Sequence, residues 1–261
     1  MKAHLDYGQS GLELDLTGLN ATVLTPRFLE GLPDEAAAFT SAVRQPIASR
    51  PLREIVRASD RVAVVIPDGT RPLPSDRLLP WLFAELGHVP REQFTILIGT
   101  GTHRANTPAE LDAMLSPAVA RHYRIVNHVA ADPSTMLSAG RSALGYDVQL
   151  ARDYVTADRR IILGFIEPHF MAGFSGGYKA VFPGIASLDA IMHYHAADVI
   201  GDPRSTWGEL EDNPTQRHVR AGGSLLPVDF CVNVTLNTRR QITHFFCGET
   251  LAAHRAGCAF A

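Results

Sequence analysis

VAVVIPDGTRPLP, residues 62–74, sets the architecture. Five consecutive apolar residues, mostly β-branched, make too short a run for a membrane span and lack the 3.6-residue period of an amphipathic helix. They read as a strand buried on both faces, as in a parallel sheet. PDGTRPLP ends the run with turn residues, and SDRLLPWLFAEL (75–86) then takes up helical periodicity, with Ser75 as candidate N-cap and Pro80 interrupting it. The same sentence repeats downstream. FTILIG (94–99) leads into TGTHRANTPAEL, where Thr107 caps a helix with Pro108 in its first turn. YRIVNHV (123–129) and DRRIILGFI (158–166) are further strand candidates. Short apolar runs alternating with helices predict an α/β fold, a mostly parallel, Rossmann-like sheet with helices on both faces.

Outward from this core, AHLDY (3–7), LELDL (12–16) and ATVLT (21–25) predict a small N-terminal β element, with Gly8, Gly11 and Gly18 at its turns. Residues 33–45 and 51–59 read as helices, as do SLDAIMHYHAADVI (187–200) and PTQRHVRAG (214–222). PVDFCVNVTLN and QITHFFCG are two strands joined at Asn237, and LAAHRAGCAFA (251–261) starts a last helix that ends with no Gly or Pro stop signal and looks interrupted. With 46% hydrophobic and 20% charged residues over 261 positions, the chain has the globular mix. A net charge of −3 with dispersed Lys and Arg argues against a duplex nucleic-acid binder. No apolar run long enough to span a membrane and no signal-like leader are present, so a soluble cytoplasmic protein is expected. Cys231, Cys247 and Cys258 match no zinc-ribbon spacing and are expected to be reduced, mostly buried thiols.

In open parallel sheets, ligands bind beyond the carboxyl ends of the strands. Reactive groups follow three of the strands at once: Asp68, Thr70 and Arg71; Thr102 and His103; Glu167 and His169. They are expected on one rim. GFSGGYK (173–179) is either an anion cradle, with glycine N–H groups and Lys179, or an ordinary tight turn. It is neither a Walker A loop nor a Rossmann fingerprint. His193 and His195 sit at i and i+2 of one helix, about 200° apart, so one faces the cleft and the other does not. Multi-histidine metal sites use i, i+4 spacing, which disfavours a zinc hydrolase. His4, His88, His122, His128, His218, His244 and His254 read as surface or hydrogen-bonded residues, Trp81 and Trp207 as packing.

DGTRP (68–72), GTGTHR (99–104) and the 21-residue run EPHFMAGFSGGYKAVFPGIAS (167–187), with a histidine in the next helix, resemble the nickel-pincer-nucleotide-dependent lactate racemase family over nearly the whole chain. The resemblance implies that Lys179 holds the cofactor covalently, through a thioamide to pyridinium-3,5-bisthiocarboxylic acid mononucleotide. It makes His195 the protein ligand of nickel, with His193 second, and His103 and His169 two acid/base histidines on opposite sides of the substrate. Asp68, Thr70 and Arg71 would contact the nucleotide, with Ser175, Gly176 and Gly177 close to it. The implied reaction is racemisation or epimerisation of a small 2-hydroxy acid. C2–H leaves as hydride while a histidine takes the hydroxyl proton, the keto acid reorients, and both return to the other face. Histidine, with a pKa of about 6.5, suits that transfer.

Members of that family carry a second, C-terminal domain, expected to be absent from this chain, so residues 1–261 read as the N-terminal cofactor-binding domain. Its expected partners are the substrate and the cofactor-biosynthesis proteins, with no nucleic acid and no membrane; a homo-oligomer stays open. Two rival readings stand beside the racemase: a truncated or non-catalytic nucleotide- or metal-binding domain without turnover, and a metal hydrolase with several protein ligands to one metal.

Overall fold

The computed structural model describes residues 1–5, 7–8 and 10–261. Two short strands, β1 (Lys2–Leu5) and β2 (Leu12–Asp15), pair as the N-terminal hairpin. Asp6, expected in the first strand, lies outside the described residues. The third expected strand does not form: residues 21–25 are exposed and without regular structure, having no partner edge to satisfy their backbone groups. Helix α1 (Glu35–Arg44) follows, N-capped by Asp34. The second expected helix is a single turn, α2 (Leu52–Ile55), after which the chain extends at Val56 and Arg57 N–H donates to the Asp60 carboxylate at 2.9 Å.

The central sheet then builds as the apolar runs predict. Strand β3 (Val62–Pro67) crosses through α3 (Ser75–Glu85) to β4 (Phe94–Gly99). α4 (Pro108–Met114) and α5 (Pro117–His122) lead to β5 (Arg124–Asn127). Thr107 caps α4 in a full capping box with Glu110. Pro74, not Ser75, sits at the N-cap of α3, and the helix runs through Pro80 because Leu78, Leu79, Leu82 and Phe83 are buried. An antiparallel hairpin, β6 (Met136–Arg141) and β7 (Asp147–Ala151), and the turn α6 (Arg152–Val155) precede β8 (Arg159–Phe165).

Beyond β8 come the two-residue strands β9 (Pro168–His169) and β10 (Gly173–Phe174), then α7 (Leu188–Tyr194), α8 (Ala197–Ile200) and α9 (Pro214–Gly223). Strands β11 (Phe230–Leu236) and β12 (Ile242–Gly248) and helix α10 (Thr250–Phe260) close the order.

The six-stranded sheet runs β12-β11-β8-β3-β4-β5, parallel except for β12. The chain progresses outward from β3 to β5, then returns to the other side of β3 with β8. That reversal opens a crevice at the carboxyl ends of β3 and β8. Alternate residues face opposite layers: Val62, Val64 and Ile66 pack in one core with α1 and α3 residues such as Phe39 and Leu78. Ala63 and Val65 pack in the other with Leu150, Phe182 and Tyr194. Burying each such aliphatic side chain contributes roughly 1.5–3 kcal/mol. All three cysteines are free and buried. Among the described residues no helix is long and apolar enough to cross a membrane.

Candidate functional site

A cavity of about 330 Å³ lies at this crevice. Its walls include Asp68 and Arg71 from the loop after β3, His103 from the loop after β4, and His169 after β8. Lys179 and His195 complete it. The three strand-end groups meet on one rim as parallel strands require. A second cavity of about 470 Å³ adjoins it, sharing Pro67, Asp68, Arg71 and His103 and lined also by Thr70.

The loop after β3 is held by its own carboxylate. Asp68 is buried; its Oδ1 accepts from the Thr70 N–H (3.0 Å) and hydroxyl (2.5 Å), and its Oδ2 faces His103 Nδ1 at 2.6 Å. Both oxygens are therefore engaged inside the protein. His103 is 45% exposed, and among the described residues its Nε2 has no hydrogen-bond partner. His169 is held differently. Its Nδ1 accepts from the backbone N–H groups of Met171 (3.3 Å) and Ala172 (3.2 Å). Burial, then the positive charges of Lys179 and Arg71, push its pKa down to about 3, so the ring is neutral.

Lys179 sits in a single 3-10 turn (Gly177–Ala180) entered through Gly176 and Gly177, both at positive φ. Its Nζ donates to the Tyr194 hydroxyl at 3.0 Å, and among the described residues no carboxylate lies within ion-pair distance. Burial, and secondarily Arg71, push this amine down to about 7. The turn is clamped from beneath. Asn233 Oδ1 accepts from Gly177 N–H at 3.2 Å, and the His254 ring, buried, donates from Nε2 to Ser175 C=O at 2.8 Å. The Ser175 hydroxyl donates to Phe165 C=O and accepts from Glu167 N–H. Ser175 and Gly176 line the cavity; Gly177 lies behind it, where a Cβ would come within 2.8 Å of the His254 ring.

Helix α7 stops at Tyr194, and the chain extends at Ala196 before α8. The break replaces the one long helix expected over 187–200. It leaves His195 at the helix C-terminus on the cavity wall, its pKa lowered by burial and then by Lys179. His193 instead stacks on Tyr146, ring centroids 4.3 Å apart. The i, i+2 argument thus separates the two histidines as expected. Among the described residues no three His, Cys, Asp or Glu side chains converge as a metal site.

Tyr194 and Asn233 escape the sequence reading, while His254 is hydrogen-bonded, as read, with its place beneath the glycine turn unforeseen. A lone polar residue in an apolar element carries no pattern, and the partners lie far away in sequence. His128 is structural, as read: buried, its Nε2 against Ala186 C=O at 2.8 Å.

The chain is similar to proteins of known family. The family profile "Lactate racemase N-terminal domain" matches residues 7–208. Lactate racemase of Lactiplantibacillus plantarum is 35% identical over 227 residues, 87% of this chain and 54% of that protein. The namesake from Thermoanaerobacterium thermosaccharolyticum is 33% identical over 220 residues, 84% of this chain and 52% of that protein. The chain spans about half the length of the curated relatives it matches. The lactate racemase apoprotein structure from the latter organism superposes with a TM-score of 0.86 at 30% identity, covering 100% of this chain and 62% of that one. A Thermotoga maritima crystal structure shares the fold, with a TM-score of 0.73 at 21% identity, covering 89% of this chain and 60% of that one. Sequence, fold and the crevice between β3 and β8 together make this chain a member of the lactate racemase N-terminal domain family.

Proposed function

We propose that this chain is the cofactor-holding domain of a racemase or epimerase of a small 2-hydroxy acid, dependent on a nickel-pincer nucleotide. One observation carries the reading: Lys179, His103, His169 and His195, dispersed over ninety-odd positions, line one cavity at the sheet's topological switch point.

The residues fit such a group. Among the described residues Lys179 is an amine with no carboxylate beside it, and its neutral form is accessible near neutral pH, as a covalent attachment point requires. His195, one imidazole on the same wall, suits a metal whose remaining donors come from the cofactor. Arg71 lies where the two cavities join, available to an anion, Thr70 lines the adjoining cavity, and the backbone at Ser175 and Gly176 permits close approach. Asp68 acts through His103.

When bound, the group supplies a hydride acceptor, which avoids proton removal from a carbon already beside a carboxylate. The chain handles the oxygen and the charge. His103 and His169, from two different strand ends, flank the space where the substrate hydroxyl would sit. Asp68 keeps the His103 ring oriented and balances its charge on protonation. Arg71 adds the positive potential that a carboxylate substrate requires. Three free, buried cysteines accord with a reducing compartment, here the cytoplasm.

Intact-mass measurement after production with the cofactor-biosynthesis proteins tests the assignment. An adduct on Lys179, with nickel, is the expected result; an unmodified mass under loading conditions overturns it. A second reading, a holding domain without turnover, draws on the open side of the cavity, where Phe170 is 61% exposed. It predicts the adduct with no interconversion of enantiomers across a hydroxy-acid panel.

A further inference from the structure

Lys179 and His195 come from different elements, yet a single residue, Tyr194, touches both. We infer that Tyr194 is a positioning residue whose hydroxyl fixes the Lys179 amine at the cavity wall beside His195. The inference rests on the proposed function for what the amine receives, but the fixing of the amine does not depend on it.

A lysine amine ends a flexible stem and has no direction of its own until a partner supplies one. Among the described residues Lys179 Nζ makes one hydrogen bond, to the Tyr194 hydroxyl at 3.0 Å. That partner cannot swing away. Tyr194 is 1% exposed, and its ring meets Phe182 edge-on, centroids 6.1 Å apart and planes at 88°. Phe182 lies three residues beyond Lys179, so the segment that carries the amine also wedges the ring that orients it. Phe182 is backed in turn by α9, where a Cβ on Gly222 would come within 2.5 Å of its ring. On the other side, Tyr194 closes α7, and His195 N–H donates to Ile191 C=O at 3.0 Å. The Tyr194 and His195 rings lie 4.6 Å apart, and both residues line the cavity.

A phenol suits this place better than the alternatives. Aspartate or glutamate would hold the amine as an ammonium, which has no lone pair to react. Phenylalanine would fill the same core space and leave a buried amine without a partner. The tyrosine oxygen accepts an N–H without bringing a charge, and the nitrogen lone pair stays free. An amine that becomes an amide or thioamide keeps one N–H, so the same bond to Tyr194 can persist after attachment.

Lys2 and Lys179 are the only lysines, so carbon-13 labelling of lysine gives two ε-methylene signals, assigned with Lys2→Arg. A held amine keeps its two ε protons in different surroundings, whereas a loose one averages them. The unloaded wild-type chain should show two resolved ε-proton shifts for Lys179, with nuclear Overhauser contacts to the Tyr194 ring, and one averaged shift for Lys2. A single averaged shift for Lys179, or no contact to that ring, overturns the inference without any variant. Tyr194→Phe, folded by circular dichroism, should merge the Lys179 pair; a pair that stays resolved also overturns it. Produced with the cofactor-biosynthesis proteins, Y194F should form the Lys179 adduct at least about tenfold more slowly than wild type by intact mass. An equal rate overturns the positioning role. If the wild-type protein takes no adduct, the proposed function fails while the ε-proton shifts still decide whether Tyr194 fixes the amine.

Discussion

Asp68 and His103, from the ends of neighbouring strands, are joined by a 2.6 Å contact between a buried carboxylate and a half-exposed ring. In the proposed reaction this pairing makes a loop residue the device that orients a base. D68N keeps the size and the bond from Thr70 but offers an amide N–H to His103, which favours the other tautomer. Turnover of the loaded full-length protein should fall by about 10²–10⁴ with little change in the thermal midpoint, measured as kcat/KM beside differential scanning fluorimetry.

Only Lys2 and Lys179 occur in the sequence, so amine chemistry can be followed residue by residue. With its pKa near 7, Lys179 should be acetylated by a small reagent with a rate that rises through a midpoint near pH 7 and then levels. Peptide mass mapping of the Lys2→Arg chain across pH 5–9 checks this. A midpoint above about pH 9 would show that the amine is solvated and ordinary.

The separation of His193 from His195 gives a clean contrast. H195A should keep the Lys179 adduct but lose the metal, while H193A should keep both and forfeit only the ring stacking on Tyr146, worth under ~1 kcal/mol. Metal content by elemental analysis alongside intact mass separates the two outcomes.

His254, buried against the Ser175 carbonyl, has its pKa pushed down to about 4 by burial. The unfolded chain binds this proton near pH 6.5 and the folded one does not. Its contribution to stability is therefore full above about pH 6.5 and is lost as pH falls toward about 4. Urea midpoints at pH 7.5 and 5 should differ, and by less in H254Q, which keeps an N–H donor but no longer titrates.

Gly177 has φ +55 and the His254 ring 2.8 Å from a would-be Cβ. Gly177→Ala should cost about 2–4 kcal/mol, read from a shift in denaturant midpoint. A change below about 0.5 kcal/mol would mean that the turn re-forms elsewhere and that the clamp is loose.

How far the sequence reveals this molecule depends on where each signal resides. β3, β4 and β8 are legible because two-sided burial demands continuous apolar runs. The rim positions of Asp68, His103 and His169 then follow from parallel topology alone. The hairpin β6–β7 goes unread because Ser138, Arg141, Asp147 and Gln149 face outward and only Val148, Leu150 and a few neighbours meet the core. Residues 21–25 mislead in the other direction, with β-branched composition but no partner strand. The pairing of Asp68 with His103, and the clamp of Asn233 and His254 on the glycine turn, depend on contacts between segments 35 to 79 positions apart. No local pattern encodes them.

That clamp also orders events during synthesis. Residues 173–179 leave the ribosome well before Asn233 and His254, so a nascent chain lacking β11 and α10 has a lysine but no seat for it. The glycine turn therefore takes its shape only once the β11–β12 hairpin and α10 have closed beneath it.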